Sequence, residues 1–422
     1  MVASTDIKFY VHTNNNAPQL QNAYGSMINV LDACLINGVN IGTVSSLTAL
    51  GTTVTALFSS AHKLMQYQVI KITGASQPEF NGEHRILTVP NAQSVTFDLA
   101  ATPSVPTATG TISASLPPLG WEKPFSSINA SGGGKAAYRS KNLLLPSRPF
   151  LRVVDERDPL YGASYAKYAK VGIVEDMLDI DTMIGVQAPF DAAAPDKNWV
   201  GIGAGTSAIN GWAKWYYASA QLNNRLYPDS TVPESANRVW LLVGNTDYFY
   251  IIPSFNTESP GLVYGFGEFK TLLNADSANN FLSCTLQYAT ALGMDGTAKD
   301  DYTAFTKTSL NSSVLLQRNS NNQPIPAIAK TYSNPFSSIS GAGNALAQPN
   351  TQGDVLFFPV FIFEDNKVLR GVAENILNVA QLSGINDIEG FTSGNQIFIS
   401  RYTFLKGNET KGQVFFNLGG IS

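Results

Sequence analysis

The sequence predicts a mainly β, multidomain protein. Three observations predict it. Short runs rich in Val, Ile, Thr and aromatic residues recur along most of the chain, turn residues separate them, and a single clear apolar stripe in the first half has helical spacing. The expected order is an N-terminal arm and helix (1–42), a small β-barrel or sandwich module (43–116), and a larger β-rich domain with a few helices and long surface loops (117–422). A division of the last into two subdomains stays open near 292–352. A chain of 422 residues exceeds one ordinary core, in keeping with about two or three domains.

Residues 1–19 read as an arm, with Asp6–Val11 as a short strand and the polar stretch Thr13–Pro18 as a break. Leu20, Tyr24, Met27, Leu31 and Cys34 then recur at helical spacing. Pro18 suits the first turn of that helix and Asn37-Gly38 its stop. From Thr43 to Leu116 the texture becomes strand and turn. Thr43–Ala49, Thr52–Phe58, Tyr67–Thr73, His84–Pro90, Ser94–Leu99 and Gly110–Ser115 are the expected strands, with Gly51, Gly74, Asn81-Gly82 and Pro90-Asn91 among the turns. Further on, Leu151–Asp155, Val171–Val174, Trp212–Tyr217, Val239–Val243, Tyr248–Ile252, Val355–Phe363, Gln396–Phe404 and Gln413–Leu418 read as strands. Val355–Phe363 is almost wholly apolar, which predicts cover on both faces. Pro359 inside it predicts an edge or a bulge. Leu369, Val372, Ile376 and Val379 have helical spacing, which predicts a helix over Lys367–Leu382. Residues 292–352, rich in Ser, Asn, Gly and Gln, predict long surface excursions.

Composition narrows the function classes. Charged residues make up 14% of the chain, against about 25% in a typical soluble domain. A surface so poor in charge is weakly protected against association, which points to cover by partners. Net charge is −4 with no basic stripe, so no nucleic-acid partner is expected. No run of about 18 apolar residues occurs and the N-terminus lacks the pattern of a signal peptide, so no membrane partner or export is expected. The two cysteines, Cys34 and Cys284, do not make a disulfide framework and are expected to be free thiols.

Each candidate for chemistry has a structural reading beside it. Gly132–Gly134 with Lys135 lacks the spacing and the Ser/Thr of a phosphate loop, and a flexible turn between two β segments is expected. Asp155, Glu156, Asp158, Glu175, Asp176, Asp179 and Asp181 form an acidic cluster without calcium-loop spacing, and Arg152, Arg157, Lys167 and Lys170 are partners for it nearby in sequence. His12, His62 and His84 match no zinc pattern. Gly201–Gly205 lacks the third glycine of a dinucleotide loop. Trp212, Trp215, Tyr216, Tyr217, Tyr248 and Tyr250 suit either a sugar platform or core and subunit contact, with the second expected. Catalytic, cofactor-binding and metal residues are therefore all expected to be none.

Two resemblances accompany these readings. Ala61-His62-Lys63-Leu64, Phe80-Asn81-Gly82 and Arg85–Val89 resemble the pieces of a small β-barrel similar to the first catalytic-cysteine half-domain of ubiquitin-activating enzymes, a module found in phage structural proteins. It implies a fold and a virion context, without ubiquitin chemistry, since residues 43–116 contain no cysteine. Gly120–Phe125, Ala137–Ser140, Phe150–Asp155, Val239–Phe249 and Ile397–Leu418 resemble a group of uncharacterised tailed-bacteriophage virion structural proteins, with Gln187–Thr206 and Leu292–Gln348 as insertions. The resemblance implies a non-enzymatic structural subunit in many copies, in contact with itself and other virion proteins. Tail or baseplate comes first, and capsid decoration or head–tail junction second. It would be assembled in the bacterial host cytoplasm. The alternative is a carbohydrate-binding or depolymerising tail protein that meets a host-surface glycan.

Overall fold

The computed structural model describes residues 2–204, 211–220, 229–286, 305, 313–332, 355–364, 368–379, 382–404 and 411–421. It is mainly β, and its strands fall into three sheets among the described residues.

The first sheet is built from strands between Val39 and Leu116, overlapping the stretch 43–116 expected to be rich in strands. Its strands run in the order Gly82–Arg85, Val69–Ala75, Gly110–Leu116, Val39–Leu50, Thr53–Phe58, Ser94–Asp98, Thr88–Asn91. The two outermost strands are consecutive in the chain. At their junction Ile86 N–H donates to Gln68 O, on one edge, and Leu87 N–H donates to Thr96 O, on the other. The sheet therefore closes on itself as a barrel, which removes its exposed edges. This double duty also explains why the expected strand His84–Pro90 is two short strands. Val44, Leu47, Val54, Phe58, Ile70, Ile72, Val95, Phe97 and Ile112 fill the interior. Gly74 sits at φ +86, and a Cβ there would lie 2.0 Å from Thr111 O, so a side chain is excluded from this crossing.

The middle sheet runs Thr285–Leu286, Ala213–Ala218, Lys167–Met177, Phe150–Glu156, Gly133–Ser140, Trp121–Ile128, with Met183–Ala188 also paired to Lys167–Met177. The large sheet has thirteen strands. It starts with Lys8–Val11, Trp240–Gly244, Tyr248–Pro253, Tyr264–Glu268 and Asn280–Ser283. It continues through Ser313–Leu316, Ala327–Tyr332, Phe357–Glu364 and Val368–Val379, then Lys411–Gly420, Gln396–Phe404 and Gly390–Ser393, with Lys270–Thr271 paired to Val368–Val379. One face packs on the middle sheet: Trp121 meets Phe249 edge-on at 5.2 Å, and Trp215 stacks on Tyr264 at 5.8 Å. The other face curls around a second core, where Tyr250 lies 5.5 Å from Phe416 of a strand far along the sheet.

Four expectations are corrected. The N-terminal segment is no free arm: Lys8–Val11 is a strand of the large sheet, and Ile7, Phe9, Tyr10 and Val11 are buried. The helix is short. Ser26–Leu31 is α-helical and Asp32–Asn37 is π-helical, while Leu20 bridges to Arg238. Gly25 breaks the stripe at φ +86, where a Cβ would lie 2.9 Å from Gly133 Cα. The stop at Gly38, φ +75, is as expected. Val368–Val379 is a strand, not a helix; bulges in its pairing and Asn375 at φ 54 stretch its buried positions to a spacing of about three. Phe357–Glu364 is paired on both sides, with a register shift at Pro359; Val360, Ile362 and Glu364 on one face are buried, while Phe357 is exposed and Phe361 and Phe363 are half-buried, so the second face is only partly covered. Of the expected excursions, Ser313–Leu316 and Ala327–Tyr332 are strands joined by a described loop over 317–326; the rest of 292–352 lies outside the described residues, apart from the buried Phe305.

The barrel is tied to the rest through Arg85. Its buried guanidinium donates to Ser4 O (2.8 Å), Tyr67 O (2.7 Å), Ile7 O (2.9 Å) and Leu418 O (3.0 Å). Desolvation pulls its pKa down to about 10. Replacing Arg85 by Met would leave four carbonyls, three of them buried, without this donor. The expected cost is at least ~3 kcal/mol, read as a lower urea midpoint; an unchanged midpoint would contradict this account of the junction.

Candidate functional site

Charged side chains are scarce in this chain, so a place where they gather inside the fold stands out. The middle sheet has such a place on the face turned away from the large sheet. Strand register fixes it. Lys135 lies opposite Val154, Val154 opposite Lys170, and Lys170 opposite Lys214, while Arg152 precedes Val154 by two residues. Cross-strand partners and i, i+2 residues share a face. Four cations from four neighbouring strands therefore form one row.

Loops bring a carboxylate to each. Asp181 Oδ1 accepts from Lys135 Nζ and from an Arg152 NH group, both at 2.7 Å. Asp158 pairs with Lys170 at 3.2 Å, and Asp229 with Lys214 at 3.5 Å. Lys170 and Asp158 are both buried, and desolvation lowers the pKa of Lys170 against the opposing pull of Asp158. Trp199 covers the row, with the Arg152 guanidinium 4.4 Å from its ring centroid. Asn198 holds the neighbouring turn: its amide donates to Val171 O, and its carbonyl accepts from the Trp212 and Ala213 N–H groups.

Asp158 does more than neutralise Lys170. Its two oxygens accept from Leu160 N–H (3.0 Å) and Gly201 N–H (2.7 Å), which draws two loops together. Leu160, Val200 and Ile202 on these loops are exposed, beside the half-buried pair Tyr161 and Tyr165, whose rings meet edge-on at 5.7 Å. The arrangement is a charged clamp under an apolar, aromatic cap. It can fix loops in place and present the cap; its carboxylates face ammonium and guanidinium groups.

The residues weighed from sequence divide clearly. Arg152, Asp158, Lys170 and Asp181 belong to the clamp. Asp155 is fully buried elsewhere, under the short helix, and burial pushes its pKa up to about 6. Glu175 pairs with Arg318 and accepts from Val186 N–H; Asp179 accepts from the Asp181 and Thr182 N–H groups of its own turn. Lys167 donates to the Ala163 and Tyr165 carbonyls. Among the described residues no three His, Cys, Asp or Glu side chains gather as a metal site would need. His62 bonds Asn91 O and Leu64 N–H, and His84 bonds Phe80 O and stacks on Phe97. Cys34 and Cys284 are buried and free. The hairpin turn lies at Asn129–Gly132, and of Gly132–Gly134 the last two open the strand Gly133–Ser140, where close approach sets the glycine: a Cβ on Gly133 would lie 1.9 Å from Asp155 O. Of Gly201–Gly205, Gly205 lies outside the described residues. The six aromatics weighed as a sugar platform are all buried. Sequence reasoning missed Trp199 and Asp229. The signal available was Lys170 and Lys214, single cations inside apolar strands, which must find an anion in the fold.

No family model and no curated protein matches this chain. Among solved structures it is similar to a phage phi92 endosialidase, at 9% sequence identity and a TM-score of 0.17, over 91% of this chain and 52% of that one. The chain thus spans about half the length of that protein, and a TM-score of this size does not show a common fold. Nothing in these comparisons supports the likeness of residues 43–116 to a half-domain of ubiquitin-activating enzymes.

Two outcomes test the clamp. Asp158→Ala strands the Lys170 ammonium and releases both loops; it should cost about 3–5 kcal/mol in urea unfolding. Gly172→Ala would place a Cβ 2.6 Å from the Trp199 ring. The expected result is a changed tryptophan near-ultraviolet signal with the far-ultraviolet β signal retained.

Proposed function

We propose that this chain is a non-enzymatic structural subunit of a tailed-phage virion, assembled in multiple copies through contacts with itself and other virion proteins. Tail or baseplate is the first location and capsid decoration or head–tail junction the second. The observation that carries the reading is the loop between Gly133–Ser140 and Phe150–Glu156. Its backbone is pinned: Asn142 donates to Asp247 Oδ1 (2.8 Å), receives the Leu144 N–H on its own side-chain oxygen (3.0 Å), and its N–H donates to Ser140 Oγ (2.9 Å). Yet Leu143 and Leu144 on it are 78% and 92% exposed. A loop pinned in this way loses little backbone entropy when a neighbour covers its two bare leucines. Each leucine gains about 1.5–3 kcal/mol on burial. Repetition by symmetry multiplies such contacts. The virion context comes from the sequence resemblance to tailed-phage virion proteins.

The second reading, a carbohydrate-binding or depolymerising tail protein, rests on Tyr161 and Tyr165, which stand half-exposed beside Leu160. A pair of variants separates the two. Leu143→Asp with Leu144→Asp should leave the subunit folded with an unchanged melt, and reduce its incorporation into phage particles at least about ten-fold. Normal incorporation would overturn the assembly reading. Tyr161→Ala with Tyr165→Ala should leave incorporation and host binding unchanged; loss of binding to host-surface glycan would favour the second reading.

A further inference from the structure

Asp155 reaches across from the middle sheet to the start of the short helix. Its Oδ2 accepts from Met27 N–H (3.0 Å) and Ile28 N–H (3.4 Å), and its Oδ1 lies 2.6 Å from the Tyr217 hydroxyl. These donors are all neutral. The same hydroxyl lies 3.2 Å from Ala23 O, on the chain leading into the helix. One hydroxyl carries one proton, so it serves one of these two acceptors at a time.

We propose that Asp155 and Tyr217 form a proton-operated latch, which holds the N-terminal helix to the middle sheet tightly when Asp155 is protonated and loosely when it is ionised. In the ionised state Tyr217 donates to Asp155 Oδ1, and the Ala23 carbonyl keeps only the Ser26 hydroxyl, at 2.7 Å. A proton bound on Oδ1 reverses the link. The carboxyl O–H donates to the Tyr217 oxygen, and the Tyr217 O–H turns to Ala23 O. All members are then satisfied without a charge in the interior, which is the cheaper state for a fully buried group.

The surroundings support this direction. Facing Asp155 are Tyr217 from strand Ala213–Ala218, Tyr24 from the N-terminal segment and Tyr138 from strand Gly133–Ser140; Asp32 lies beyond Tyr138, and Glu156, next in the strand, alternates to the other face. Asp32 is held by Lys123 and Tyr138, and the cation on Tyr24 is Lys167, 5.1 Å from its ring centroid. Burial outweighs the hydrogen bonds from Tyr217 and from the Gly25, Met27 and Ile28 N–H groups, and raises Asp155 from 3.8 to about 6. The sign follows: between these values the closed latch binds more protons than the open one, so closure is fully favoured below about pH 4 and weakens as pH rises through about 6. Between pH 5 and pH 8 opening becomes about ten-fold more favourable. The half-buried His12 and the buried His62 and His84 have lowered pKa values through desolvation and act the other way, losing stability as pH falls below 6.5. A global melt therefore mixes both effects.

Hydrogen exchange at the Met27 and Ile28 amides of the full chain, corrected for intrinsic rates, reads the latch directly. Wild type should lose about ten-fold in protection from pH 5 to pH 8. Asp155→Asn copies the protonated state, since its amide N–H donates to Tyr217 and its carbonyl accepts from the helix. Its protection should match wild type at pH 5 and stay flat to pH 8. The same pH dependence in Asp155→Asn and wild type would overturn the latch. So would an Asp155→Asn chain that fails to fold, because the neutral form is the one the latch favours.

Discussion

The guanidinium of Arg85 is taken out of water and given four backbone carbonyls. A buried cation demands complete solvation by the fold, and here that solvation comes from three places at once: the N-terminal segment through Ser4 and Ile7, the barrel through Tyr67, and the last strand through Leu418. No one of these can leave without exposing the charge to a dry site. Around it the same junction repeats in neutral form. Asn14 and Gln68 bond each other, Asn14 reaches Lys63 O, Gln68 reaches Phe9 O, and the Tyr10 hydroxyl donates to Pro117 O. The N-terminal residues thus contact the barrel and the large sheet, and through Met27, Ile28 and Asp32 also the middle sheet. The barrel depends on this segment to satisfy Arg85 and Gln68, and its position is set by it.

This explains where the sequence could be read and where it could not. The barrel strands were legible because each is bounded by a turn residue with its own local reason, such as Gly74 or Asn81-Gly82. Within residues 1–19 the short strand over Asp6–Val11 was legible, but its place in the core was not, because its partner lies more than two hundred residues away in Trp240–Gly244. The strand Val368–Val379 imitated a helix because bulges change the spacing of buried positions, and a period count has no knowledge of pairing. The clamp was half legible: Arg152, Lys170 and Asp158 are close in sequence, whereas Asp229 and Trp199 reach the row only through the fold.

The internal charges bear on function. Arg85, Arg152, Lys167, Lys170, Lys214, Arg238, Arg370 and Arg401 are buried, as are Asp155, Asp158 and Glu364. In the large sheet Arg370 bonds Asp276 and Glu364 at once, a second clamp of the same kind. A chain already poor in charge therefore shows still less of it outside. Charge used inside fixes loops; apolar groups left outside, such as Leu143 and Leu144, are free for neighbours. That division suits a subunit designed for contact, and it is the physical content of the assembly reading.

The central claim is that the strand Lys8–Val11 belongs to the core and opens only with it. Native-state hydrogen exchange on the isolated chain tests this most directly, by comparing the amides of Lys8–Val11 with those of their partner strand Trp240–Gly244. The account predicts that both strands open with the same free energy, close to that of global unfolding. Rapid exchange of Lys8–Val11 beside a protected Trp240–Gly244 would contradict it, and would return the segment to the status of an arm that waits for a neighbour.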